Sequence, residues 1–152
     1  MGRRPFRAPP PSGGNTWLKQ LASLFGAEEI RALSDRAGTG ALDEEVVRDA
    51  LERASSEVDS YLADRYATPL TGEVPVPAVV VSVTGDIARY RLTGGDVRES
   101  DPIRQRYVQA LHWLRDVADG RASVPGLPPA EETAGGAVLV EPGSRPWGGA
   151  RP

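Results

Sequence analysis

Apolar residues recur every three or four positions along several stretches of this chain, and most of those stretches are bounded by residues suited to helix ends. Trp17, Leu21, Leu24 and Phe25 predict a short helix with Thr16 as its N-cap and Gly26 as its stop. Ile30 and Leu33 mark a second short helix over Ala27–Leu33, and Ser34 to Gly40 is a turn by composition. Asp43, followed by Glu44 and Glu45, opens the strongest helix signal, because an oxygen acceptor caps the orphan N–H groups and carboxylates favour the positive dipole end. This helix is expected to run to about Tyr66. Val47, Leu51, Ala54, Val58, Tyr61, Leu62 and Arg65 form its buried stripe, with Arg48, Glu52, Ser56 and Asp59 turned mostly away.

The segment from Pro77 to Leu92 carries two signals. Val79, Val80, Val81 and Val83 look like a buried strand, whereas Pro77 at the first helical position and the spacing Val80, Val83, Ile87, Tyr90 suit a helix. The periodic pattern outlasts a usual strand, so a helix is expected. Pro102 after Asp101 opens the last helix, where Ile103, Tyr107, Ala110, Leu111, Leu114 and Val117 share a face and Gly120 marks the end. The predicted fold is all-α, a small bundle of about five helices with one long central helix and extended Pro/Gly-rich arms at both termini.

Composition sets the limits of that bundle. Seven of residues 1–15 and twelve of residues 122–152 are Gly or Pro, against twelve in the whole of 16–121. The expected division is therefore a basic N-terminal arm over 1–15, a helical domain over 16–121 and a C-terminal arm over 122–152. Residues 1–20 hold Arg3, Arg4, Arg7 and Lys19 with no acid, whereas residues 28–66 hold eleven acids against five arginines, a net charge of −6. No run of about 18 apolar residues occurs, so no membrane partner is expected. The start fits neither a myristoylation signal, with Phe6 at the sixth position, nor a twin-arginine signal, with Pro9–Pro11 in place of an apolar stretch. The 152 residues include no cysteine and a single histidine, His112, which removes thiol chemistry and multi-histidine metal sites.

The remaining candidate chemistry is thin. The turn from Asp35 partly matches a calcium loop, with Asp35, Gly40 and Asp43 at the first, sixth and ninth positions. Ala37, Thr39 and Val46 occupy the third, fifth and twelfth, so a capped turn is favoured over a metal site. Carboxylate pairs such as Asp59/Asp64 and Glu44/Glu45 need an apolar cleft to separate their pKa values, and on an acidic helix they read as a solvated face. Gly94-Gly95 and Gly135-Gly136 match no phosphate-binding motif. No enzyme, cofactor or metal is expected. Arg89, Arg91, Arg98, Arg104 and Arg106 invite a nucleic-acid reading, but residues 86–121 carry seven arginines against six acids, a weak footprint for tight duplex binding.

A series of short motifs nevertheless stands in a telling order. It runs Leu24-Phe25-Gly26 with Glu28-Glu29, then Leu33-Ser34-Asp35-Arg36 with the glycine turn and Asp43, Val58-Asp59-Ser60-Tyr61-Leu62 into Arg65-Tyr66, and Pro69-Leu70. Asp86-Ile87-Ala88-Arg89-Tyr90-Arg91-Leu92 comes next, then Arg106-Tyr107 leading to Leu111 and Leu114. Over roughly residues 16–124 the chain resembles the phage Mu-like head-tail connector (adaptor, neck) family of tailed bacteriophages and prophages. The resemblance implies a virion structural protein made in the bacterial host cytoplasm. It would form a homo-oligomeric ring, with the portal's expected twelve-fold symmetry, that extends the DNA channel. The partners implied are the portal protein, a downstream neck or tail protein, and genomic double-stranded DNA passing without sequence-specific contact. A tail-completion neck protein and a helical DNA-packaging or DNA-binding protein are the alternatives. Ala37 departs from the family pattern, where an acid is common.

The residues expected to matter are therefore scaffold and interface residues: Asp35, Arg36, Asp59, Tyr61, Arg65, Tyr66, Asp86, Arg89, Tyr90, Arg106, Tyr107 and Trp147. The tyrosines present apolar rings with a hydroxyl to satisfy. Arg65 or Arg89 is expected to pair with Asp59 or Asp86 between helices. The acidic stretch 28–66 is expected to face the channel, and the tail from about Ser123 to order only against a portal or an adjacent subunit, with Trp147 as anchor.

Overall fold

The computed structural model describes residues 14–70, 75–95, 97–99 and 101–131. These form five helices in chain order: α1 (Gly14–Phe25), α2 (Ala27–Ser34), α3 (Glu44–Leu62), α4 (Ala78–Leu92) and α5 (Pro102–Ala118). The ambiguous valine-rich segment is a helix, as its period requires, although Pro77 is the N-cap rather than the first helical residue. Thr16 lies inside α1, which begins two residues before it, so the expected cap is not at the helix end. Trp147, the valine-leucine-valine run at 138–140 and the N-terminal arm to residue 13 lie outside the described residues.

Local sequence accounts for the helix ends. The Asp43 carboxylate accepts from the Glu45 and Val46 N–H groups, and Asp101 accepts from Ile103 N–H with Pro102 at the next position. Gly26, at φ 92°, lets the chain break between α1 and α2 without a gap in the path. The turn before α3 is tied from both sides. Ser34, fully buried, donates its hydroxyl to Arg31 C=O and accepts from Asp43 N–H, while the Asp35 carboxylate accepts from Thr39 and Gly40 N–H at 2.8 and 2.6 Å.

α3, α4 and α5 form the body. Side-chain contacts place the late part of α4 beside the early part of α5 and the first half of α3, so α4 runs antiparallel to both neighbours. The core is built from the predicted stripe of α3 (Val47, Leu51, Ala54, Val58, Leu62), from Val80, Val83, Ile87 and Leu92 of α4, and from Ala110, Leu114 and Val117 of α5. Fully buried leucines of this kind cost about 2–5 kcal/mol when cut to alanine. α1 and α2 lie against α4, and Gly85 of α4 faces side chains at the end of α1. A Cβ there would meet Leu24 at 3.0 Å and Phe25 at 3.3 Å.

Two boundaries differ from the sequence expectation. α3 ends at Leu62, not near Tyr66, because residues 63–66 turn away to meet a distant segment: Tyr66 forms an isolated antiparallel bridge with Pro129. That partner lies in the region assigned to the C-terminal arm. Residues 122–130 in fact return to the body, with Val124 buried and Ala67 N–H and Ala130 N–H bonded to Pro128 C=O and Arg65 C=O. Glycine and proline there shape a packed return rather than a free arm, so residues 123–131 need no partner to become ordered.

Candidate functional site

The scaffold residues gather in three places. The first is a clasp at the C-terminal ends of α3 and α5. Arg65 Nη1 donates to Val117 C=O in the last turn of α5 at 2.7 Å, a carbonyl that also accepts from Gly120 N–H at 3.1 Å, and to Ala122 C=O in the return segment at 2.8 Å. The neighbouring Tyr66, buried, accepts from Val124 N–H through its hydroxyl at 2.8 Å, and the Arg65 guanidinium sits 5.6 Å from its ring centre. Arg65 is thus spent on backbone carbonyls, and the expected pairing with Asp59 or Asp86 does not form. Asp59 instead accepts from Leu70 N–H at 3.4 Å, and burial pushes its carboxyl above the usual range, opposed by that bond.

The second place is a polar seam along α4. Arg89 donates from Nε to Glu29 of α2 at 2.8 Å and also from Nη2, with its guanidinium 4.7 Å from the Phe25 ring centre. Arg91 reaches Glu57 of α3. Asp86 faces Arg106 of α5 at 3.5 Å, and its carboxyl is raised by burial more than the two nearby arginines, Arg106 and Arg89, lower it. Arg106 and Asp86 were both singled out in the sequence, but Arg89 finds a different carboxylate. Tyr90 and Tyr107 stack with ring centres 4.1 Å apart and planes 7° from parallel, joining α4 to α5. Burial, then the Glu57 carboxylate, raises the Tyr107 phenol above its usual value. Tyr61 packs at the edge of the core.

The third place is the Asp35 turn and the cleft beside it. Both carboxylate oxygens of Asp35 are engaged by N–H groups of the turn, which hold its pKa below the usual range. That is the capped turn favoured by the sequence. Arg36 comes next, on the exposed rim of an open cleft of about 340 Å³ between the first half of α3 and the C-terminal end of α4.

Glu29, Glu57 and Val124 were missed. Glu29 and Arg89 are 60 residues apart, and Val124 and Tyr66 are 58 apart, so no local pattern pairs them. The single sign available was an excess of acids on α2 and α3 opposite the arginines of α4.

The chain is similar to the Mu-like prophage FluMu protein gp36 of Haemophilus influenzae, 42% identical over 110 residues that span 70% of this chain and 73% of that protein. It is also similar to Gene product J of Escherichia phage Mu, 30% identical over 92 residues, 60% of this chain and 61% of that protein. The family model described as Bacteriophage Mu, Gp36 matches residues 17–141, which takes in all three places and continues past the clasp. On that match, which covers most of its length, the chain belongs to the Bacteriophage Mu Gp36 family.

Proposed function

We propose that this protein is a virion structural component, a head-tail connector that assembles as a ring beneath the portal, extends the DNA channel and offers a platform to the next neck or tail protein. Membership of a phage Mu family is the observation that carries the reading. The build of the body supports it. Ion pairs linking α4 to α2, α3 and α5, together with the tyrosine stack, hold the helices in one register, as a subunit repeated around a ring requires. α3 holds six acids against two arginines, and the two arginines pair within the helix, with Glu45 and Asp49. An acidic wall of that kind repels the phosphate backbone and lets DNA pass without adhering. The role needs no catalytic step and no cofactor, and it places the protein in the neck of the virion after synthesis in the host cytoplasm.

The test is mass photometry of the purified chain, alone and mixed with the portal from the same genome. A large stoichiometric ring on the portal, with twelve subunits, is the expected result. A chain that ignores the portal and binds tail tubes is a tail-completion protein, and one that shifts duplex DNA in a salt-sensitive manner is a DNA-binding protein; either overturns the proposal. A structure of the ring with α3 facing outward would overturn its assignment to the channel wall.

A further inference from the structure

Among the described residues Leu24, Leu42, Val79 and Val108 are the large apolar side chains left 39–44% exposed, and the charges around them differ. Within five positions of Leu42 the chain carries Asp43, Glu44 and Glu45 and no base, whereas within five of Val108 it carries Arg104, Arg106 and His112 and no acid. Val79 has no charged residue in the same window, and Leu24 has Lys19 on one side and Glu28 and Glu29 on the other. Leu42 and Val108 are thus two apolar spots in surroundings of opposite sign.

The fold holds both spots in place. Leu42 stands at the corner between α2 and α3, where the Asp43 carboxylate closes the first N–H groups of α3 and Glu44 and Glu45 lie exposed. Arg48, 3.9 Å from Glu45, offsets one of these charges. Val108 lies one turn after Arg104 and two turns before Arg115, on the flank of α5 turned away from Ala110, Leu114 and Val117 of the core. Arg106 faces Asp86, and Glu99 approaches Arg104 at 3.4 Å, but Arg98 and Arg115 are exposed and the acids beyond Arg115, Asp116 and Asp119, are held by Arg121. The flank around Val108 therefore stays net positive.

We propose that these spots are the two halves of one contact between copies of this chain: Leu42 of one subunit packs on Val108 of the next, with Glu44 and Glu45 against Arg104 and Arg115. The inference rests on the ring reading above and names the faces that would join its subunits. A second copy is selected because one chain carries both halves, each apolar at its centre and opposite in charge at its rim. Leu42 against Leu42, or Val108 against Val108, would bring like charges together, so a symmetric pair is disfavoured. A contact between unlike patches repeats head to tail, and it closes as a ring when the rotation per subunit divides a full turn. It uses α3 only at its first turn and leaves the rest of that acidic face to the channel. A nucleic-acid strand would suit the arginines of α5 alone and leave Leu42 uncovered.

The natural absence of cysteine makes the test direct. Full chains carrying either Leu42→Cys or Val108→Cys are mixed and oxidised, alone and on the portal from the same genome, and the linked products and the assembly size are read by non-reducing gel and mass photometry. The expected result is a ring on the portal in which the 42–108 disulfide forms at least about ten times faster than the 42–42 or 108–108 disulfide. Arg104→Glu with Arg115→Glu in the Val108→Cys chain should slow it several-fold, and Glu44→Lys with Glu45→Lys in the Leu42→Cys chain should restore it. A ring without the 42–108 link, as when the portal covers either spot, equal rates for the three disulfides, or indifference to the charge exchange would each overturn the contact and leave the ring reading standing. The 42–108 link in chains that form no ring on the portal would uphold the contact and overturn the ring reading. Neither ring nor link would overturn both.

Discussion

The clasp and the seam hold the same body by different means. In the clasp, Arg65 and Tyr66 bond to main-chain atoms of residues 117–124, groups that cannot move away without unwinding α5 or the return segment. In the seam, arginines of α4 and α5 meet carboxylates on flexible side chains of α2, α3 and α4, and several of these charges keep partial contact with water. Without Arg65 the Ala122 carbonyl loses its donor and Val117 C=O keeps only Gly120 N–H, both fixed in the main chain, whereas a carboxylate stripped of its arginine turns outward and rehydrates. The clasp is therefore expected to set stability, and the seam to set the relative register of the helices.

The comparison is broken most directly by Arg65→Ala, which leaves two carbonyls without their charged donor and should cost about 2–3 kcal/mol in urea unfolding. A loss no greater than that of any seam variant would remove the distinction. Arg89→Ala should cost less, about 1–2 kcal/mol, since Glu29 is one-third exposed and the Phe25 contact is shared with apolar neighbours. Its cost should shrink further in high salt, as that of Arg65→Ala should not. Tyr66→Phe keeps the ring and removes only the acceptor for Val124 N–H, for a loss of about 1 kcal/mol.

The smallest effect comes from Asp59, and its sign is opposite. Burial raises its folded pKa above the usual 3.8, so the folded chain holds the proton to higher pH than the unfolded chain does. Stability from this group is present below about 3.8 and is lost as pH rises through the folded value. Asp59→Asn, which retains an acceptor for Leu70 N–H, should therefore melt at or slightly above the natural chain at pH 7. The two should converge in a thermal melt at pH 3.5.

The helices were legible because each needs only local information. Asp43 caps α3 and Asp101 caps α5, Pro102 presets the first turn of α5, and the apolar stripe of α3 repeats at the helical period through Leu62. The family was legible for a related reason, since its motifs keep their order along the chain. The choice of partners was not. Arg65 and Arg89 were recognised as scaffold residues, yet Arg65 bonds to main-chain carbonyls and Arg89 to Glu29, which stood in the motif series but not as its partner.

The amino-acid order alone was enough for five helices, the N-terminal caps of α3 and α5, the main core positions and the Mu-type family. Only the tertiary structure decided that α3 stops at Leu62, that residues 122–130 belong to the body, and which acid meets which arginine. The physical reason is range. Helix propensity and capping act within about four residues, whereas the Tyr66–Val124 and Arg89–Glu29 contacts join residues about 60 apart and exist only once the helices have packed.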